Sequence, residues 1–159
     1  VRDVRGALLG LLLLAGCRGV SLSPVAFDEA AHVEQLALRF QPDGSGLLTF
    51  RLAVHSPTAE SPLLTAVDFE LVVEGQRLAT GLQGMEVPLE GGGPARTVEV
   101  RFPLAGEEAP GSPNPVARQV QLRGGVSLRY GGRTVRRAPF RAERLLPLPW
   151  VPLAAPSRE

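Results

Sequence analysis

Three places in this 159-residue sequence carry side chains that could do chemistry: Cys17 at the end of an apolar run, His55 beside Ser56, and His32 shortly after Asp28 and Glu29. Cys17 is the only cysteine, which leaves no intrachain disulfide, no multi-cysteine zinc site and no CxxC redox pair. What remains for it is thiol nucleophilicity. His55 and Ser56 are the residue types of a hydrolase, but neighbours on a strand project to opposite faces and cannot share a proton. His32, Asp28 and Glu29 offer metal-ligand types at helical spacing, yet no apolar helical face accompanies them, so they read as a solvated segment before the first strand. Glycine runs at 91–93, 124–125 and 131–132 lack the strand, loop and helix context of a phosphate cradle and read as turns. The expectation is a protein with no catalytic residues, no metal and no cofactor.

Charge offers a second kind of site. All 17 basic residues are Arg, Lys and Ile are absent, and Asn occurs only at Asn114, a bias toward GC-rich codons that dilutes the meaning of the Arg count. The formal net charge is +1, which argues against long-range steering toward anionic polymers, nucleic acid included. Its distribution is uneven. Residues 60–108 hold nine carboxylates and three Arg, whereas residues 116–144 hold eight Arg and only Glu143. Two readings stand. The strands can share solvent faces, where opposite charges stabilise across the ladder. Alternatively, Arg129, Arg133, Arg136, Arg137 and Arg141 form a basic binding edge for anionic lipid head groups or an acidic envelope protein.

Arg2 and Arg5 precede the apolar run from Ala7 to Ala15, which matches the charged and hydrophobic regions of a secretory signal. That run is too short to span a bilayer, which takes about 20 residues. It closes in Leu14-Ala15-Gly16-Cys17, which resembles a bacterial lipobox. The resemblance implies cleavage before Cys17, diacylation of its thiol and acylation of the new N-terminus. Two or more acyl chains anchor stably where one binds marginally. An uncleaved signal anchor is the alternative. Arg18, where inner-membrane lipoproteins often carry Asp, resembles the outer-membrane pattern and points to the periplasmic face of that membrane. The chain then divides into a signal peptide over 1–16, a lipidated Cys17 with a tether over 17–32, a domain over 33–144 and a Pro-rich tail over 145–159.

These features need a scaffold, and the sequence writes one in period two. Leu36, Leu38 and Phe40 alternate with polar or small residues, as do Leu48, Phe50, Leu52 and Val54 beyond a Pro42-to-Gly46 turn, and this predicts a hairpin. Val67, Phe69, Leu71 and Val73 alternate next, then Glu74-Gly75-Gln76 turns the chain into a short strand near Arg77 to Ala79, followed by Met85, Val87 and Leu89. Val98, Val100, Phe102 and Leu104 follow, with Pro103 marking an edge or a strand end. Val120, Leu122, Val126, Leu128 and Tyr130 predict another strand with a bulge at Gly124-Gly125; Gly131-Gly132 turns it into a last strand over 133–141. The proline-rich stretch from Leu145 to Leu153 is expected to lie extended across the domain, with Trp150 packed on it. With 18 Gly and 15 Pro disfavouring helix interiors, the fold class is all-β. Its architecture is an immunoglobulin- or fibronectin-III-like two-sheet antiparallel sandwich of seven to eight strands, with an up-and-down barrel as the alternative.

The order His55-Ser56-Pro57, Pro62-Leu63-Leu64, Val67-Asp68-Phe69-Glu70-Leu71-Val72-Val73-Glu74-Gly75, then Ala79-Thr80-Gly81, resembles the late embryogenesis abundant type 2 family, also called the WHy (water stress and hypersensitive response) domain. Val87-Pro88-Leu89-Glu90-Gly91-Gly92, Thr97-Val98-Glu99-Val100 and the closing stretch from Val126 to Phe140 continue the likeness over residues 33–144. Two departures stand out: His55-Ser56 where the family has Asn-Pro, and Glu74-Gly75 where it has Asn-Gly. The resemblance implies a folded sandwich with a non-catalytic role in tolerance of desiccation or other stress. Combined with the anchor, it predicts a lipoprotein of the cell envelope that binds envelope proteins or lipid. A structural adaptor for one envelope or secretion partner, or a carrier of an apolar ligand, are the alternatives.

Overall fold

A computed structural model describes residues 24–41, 43–105 and 115–149. Cys17, the lipobox residues Leu14, Ala15 and Gly16, residues 106–114 and Trp150 lie outside the described residues. Alternating apolar residues produce strands because each strand must bury one face and wet the other. A short helix, α1 (Pro24–Asp28), precedes seven strands: β1 (Ala31–Phe40), β2 (Gly46–Val54), β3 (Leu63–Val73), β4 (Gln76–Pro88), β5 (Arg96–Leu104), β6 (Val116–Tyr130) and β7 (Thr134–Leu148). They form two antiparallel sheets, ordered β1-β2-β5 and β4-β3-β6-β7. The fold is a β-sandwich, and the barrel alternative is set aside because the sheets are separate.

The core lies between the inner faces. Phe50, Leu48, Leu52, Val54 and Val100 from one sheet, and Leu64, Val67, Leu71, Leu122, Val126 and Leu128 from the other, are fully buried. Aromatic rings join the layers. Phe69 meets Phe50 at 5.4 Å and Phe102 at 5.0 Å, both edge-on, and Phe50 lies 5.9 Å from Phe140. Such edge-to-face pairs add to simple burial because each ring's positive rim meets its neighbour's negative face. Gly81 makes this possible, since a Cβ there would stand 2.9 Å from the Phe102 ring.

Five details differ from the sequence expectation. The folded unit starts earlier than 33: α1 and Ala31 fall inside the expected tether, with Phe27 and Ala30 buried and the Phe27 ring edge-on to Tyr130 at 6.3 Å. A register shift between Val33 and Gln35 switches β1 from burying Ala31 and Val33 to burying Leu38, which hid its first residues from a period-two reading. The expected short strand near Arg77 is the start of one 13-residue strand, β4, so the count is seven. No bulge falls at Gly124-Gly125, where β6 pairs in regular register with both neighbours; the irregularities lie opposite Thr65 and at Leu78. The last strand runs not to 141 but to Leu148, pairing with β6 as far as Val116. Pro139 and Pro147 are tolerated because β7 is an edge strand.

The Glu74-Gly75 turn has positive φ at both residues, 50° and 79°, the geometry of a tight hairpin that favours Asn-Gly. Glu74 holds it by other means. Its N–H donates to the Gln119 carbonyl at 2.9 Å, and its carboxylate accepts the Gln119 N–H at 2.6 Å. The turn is thereby sewn to β6, two strands from β4.

Candidate functional site

The segregated charges meet on the outer face of the four-stranded sheet. Val67, Phe69 and Leu71 point inward, so Asp68 and Glu70 of β3 must point outward; the same parity puts Arg123, Gly125 and Arg129 of β6, and Arg137 and Arg141 of β7, on that face. Glu70 and Arg123 are direct partners in the ladder, and the Arg123 Nε donates to the Glu70 carboxylate at 2.5 Å. Arg77 approaches the same carboxylate at 4.0 Å. The Arg123 hydrogen bond holds the Glu70 carboxyl below its ordinary value and raises the Arg123 guanidinium above its own.

Arg137 reaches further. Its guanidinium donates to both Asp68 oxygens, at 3.0 and 2.6 Å, from the far side of β6. It can do so because Gly125 lies beneath it: a Cβ on Gly125 would stand 2.5 Å from the guanidinium carbon. The bidentate fork fixes geometry as well as charge and keeps the Arg137 guanidinium raised. Gly124 lines a depression of about 750 Å³ together with Asp68, Glu70, Arg123, Arg137, Arg141 and His32.

The five arginines of the expected edge do not form one surface. Arg129, Arg137 and Arg141 share the outer face; Arg136 has the opposite parity and lines a second depression, of about 440 Å³, with Thr58, Glu60 and Tyr130; Arg133 stands in the turn at Gly131-Gly132. Arg137 is already neutralised by Asp68. Arg141 sits directly opposite Arg123 in the ladder, and Glu70 serves Arg123. Arg141, like Arg129 on the same face and Arg133 and Arg136 off it, has no carboxylate among the described residues within 4.0 Å. Glu70 and Arg123 were not singled out in the sequence; the acidic and basic blocks signalled them only collectively, because their pairing depends on β3 lying beside β6.

Ser56 is a structural knot. It is 2% exposed, and its hydroxyl donates to the Glu60 carbonyl at 2.8 Å while lying 3.3 Å from the Tyr130 hydroxyl and accepting the Thr58 N–H at 3.4 Å. Its single proton is committed to a backbone carbonyl. His55 is tied through its backbone N–H to the Ala30 carbonyl at 3.0 Å. Asp28, Glu29 and His32 are exposed, and among the described residues no three His, Cys, Asp or Glu side chains converge on a metal position.

No family model and no curated protein matches the chain. Solved structures do. A protein from Archaeoglobus fulgidus aligns with TM-score 0.51 and 13% identity over 72% of this chain and 96% of its own. AT1g01470 from Arabidopsis thaliana aligns with TM-score 0.52 and 14% identity over 77% of this chain and 83% of its own. A protein described as a late embryogenesis abundant (LEA) candidate, At2g46140.1, aligns with TM-score 0.52 and 14% identity over 74% of this chain and 70% of its own. At these identities the likeness is one of fold, and the fold is similar to that of LEA type 2-like proteins.

Proposed function

We propose that this chain is a non-enzymatic protein of the cell envelope, anchored through acylated Cys17, whose LEA type 2-like sandwich protects envelope proteins or lipid during desiccation or related stress. The observation that carries the reading is the similarity of its two-sheet fold to that of the LEA candidate structure. The outer face supports it chemically. Paired charges such as Arg137–Asp68 and Arg123–Glu70 keep that face hydrated and weakly adhesive, while Arg141 leaves a cation for carboxylates or lipid phosphates. The commitment of the Ser56 hydroxyl to Glu60 supports the non-catalytic part.

The test is to dry and rehydrate a labile reporter enzyme with residues 18–159, against an unrelated sandwich of equal mass. Retained reporter activity well above the control is expected, and Arg141→Ala should reduce it. Protection equal to the control overturns the reading. The adaptor reading then takes its place, favoured by the open edge of β4 at the end of the larger sheet.

A further inference from the structure

The Ser56 hydroxyl does more than fill a buried position. It donates to the Glu60 carbonyl at 2.8 Å and accepts the Thr58 N–H at 3.4 Å, while the Thr58 hydroxyl accepts the Glu60 N–H at 3.2 Å. The segment after β2 is thereby folded around its own side chains, and the 3.3 Å contact between Ser56 and the Tyr130 hydroxyl ties it to the end of β6. Opposite it, Gly131 and Gly132 turn β6 into β7 with positive φ, and the Arg133 N–H closes the turn on the Tyr130 carbonyl at 3.3 Å. The second depression, of about 440 Å³, is lined from both sides, by Thr58 and Glu60 of the segment and by Tyr130, Thr134 and Arg136 of the hairpin. Its walls are fixed by internal hydrogen bonds, and its volume is that of a small-molecule site.

Arg136 reaches this depression from an inward-facing register position. Ala138 and Phe140, at the same parity of β7, are buried, and so is Leu128, the rung partner of Arg136. A guanidinium cannot follow them into the core, so the side chain leaves by the open end of the sandwich, where it is exposed. Glu60 lines the same depression and is exposed as well. The two do not neutralise each other as Asp68 and Arg137 do. Among the described residues no carboxylate stands within 4.0 Å of Arg136, and no cation stands within 4.0 Å of Glu60. One unserved charge would suit a simple counter-ion. Two of opposite sign, held apart on one depression, suit a molecule that carries both.

We propose that this depression binds a small zwitterion, with a primary ammonium held by Glu60 and, a short chain away, a phosphate or carboxylate held by Arg136. The ammonium brings three donors to the carboxylate and the guanidinium brings a fork of donors to the oxyanion, so both contacts are charge-assisted. Thr58 and Thr134 add hydroxyls that both give and accept. Ethanolamine phosphate, free or as the head group of a phospholipid, has this chemistry. A quaternary ammonium lacks the N–H donors and fits less well. The site is distinct from the outer face, and the inference does not depend on the stress-protection reading.

The test is calorimetric titration of the full chain with O-phosphoethanolamine and with β-alanine, which share a two-carbon chain and differ in the oxyanion. At least one is expected to bind, and Glu60→Gln and Arg136→Gln should each weaken it by about tenfold, the loss of one charge-assisted contact. Both positions are exposed, so the variants should keep the parent's circular dichroism. Arg39→Gln, at an exposed arginine of the other sheet, should leave the affinity unchanged. Ethanolamine, inorganic phosphate or acetate alone should bind at least about tenfold more weakly than the zwitterion, since each serves only one wall charge. Displacement of the bound probe by phosphatidylethanolamine vesicles, and not by phosphatidylcholine vesicles, supports the site with a lipid head group as ligand; probe binding without displacement supports it with a free zwitterion. Binding of neither probe, equal affinity for a single-charge fragment, or Gln variants that bind like the parent overturns the proposal. None of these outcomes depends on whether dried reporters are protected.

Discussion

Adjacent glycines at 124 and 125 should respond very differently to the same added methyl group. A Cβ on Gly124 would stand 2.8 Å from the Phe140 ring, 2.9 Å from the Phe69 Cα and closer still to the Asp68 carbonyl oxygen. Two of these three obstacles are backbone of the paired strand β3, fixed by the ladder on both sides. Neither can yield without parting the strands, which places Gly124→Ala at or beyond the upper end of the 1–3 kcal/mol typical of overpacking. A Cβ on Gly125 would instead meet only the guanidinium of Arg137, the far end of a flexible side chain. Moving it aside sacrifices an exposed ion pair to Asp68 worth about 0–1 kcal/mol. Replacing a strand glycine returns about 0.5–1 kcal/mol of chain entropy, so Gly125→Ala should be close to neutral. Urea unfolding separates the two. With a slope of about 1.5 kcal/mol per molar, Gly124→Ala should lower the midpoint by about 2 M and Gly125→Ala by less than about 0.5 M. Equal midpoints for the two variants, or a Gly124→Ala cost below about 1 kcal/mol, would refute the argument that Gly124 is required by backbone approach and Gly125 only by Arg137.

Other outcomes can be checked in parallel. Ser56→Ala should destabilise by about 1 kcal/mol in urea unfolding, because the buried Tyr130 hydroxyl and the Glu60 carbonyl each lose a hydrogen-bond partner, and a double-mutant cycle with Tyr130→Phe should show coupling between the two sites. A fluorophosphonate that labels Ser56 would contradict the non-catalytic reading. Glu70 titrates below its ordinary value near 4.5 in the folded chain, so the unfolded chain takes up the proton first as pH falls. Its stabilisation is complete above the ordinary value and is lost as pH drops through the lowered one, and melting curves of Glu70→Gln between pH 6 and 3, roughly the span of carboxylate titration, should show a shallower fall than the parent. Phe27→Ala should cost about 3–5 kcal/mol, the range for buried Phe, if α1 belongs to the core as its contact with Tyr130 indicates. Cys17→Ser should abolish metabolic labelling with palmitate and release the chain from membranes; persistent labelling would remove the proposed anchor.

The strands were legible because burial on one face forces period two, and Leu48, Phe50, Leu52 and Val54 obey it without interruption. Where the period breaks, the reading broke with it. The shift at Glu34 concealed the start of β1, and the skipped Leu78 made β4 look like two pieces. The Gly124-Gly125 pair was mistaken for a bulge although Val120, Leu122, Val126 and Leu128 keep one parity through it, so this error was avoidable from the sequence. So was the grouping of Arg136 with Arg137, since neighbours on a strand cannot share a face. The pairing of Arg123 with Glu70 was not accessible, because it follows from the order of strands in the sheet, which alternation does not encode.

The early start of the folded unit limits how far it can stray from its proposed attachment. Seven peptide steps separate Cys17 from Pro24, where α1 begins, and a fully extended chain covers at most ~3.3–3.6 Å per residue. The leash is therefore about 25 Å at its longest. A tether running to residue 32 would have allowed roughly twice that. Acylation of Cys17, as proposed, would on so short a leash hold the domain against the membrane surface instead of letting it reach across the space beyond.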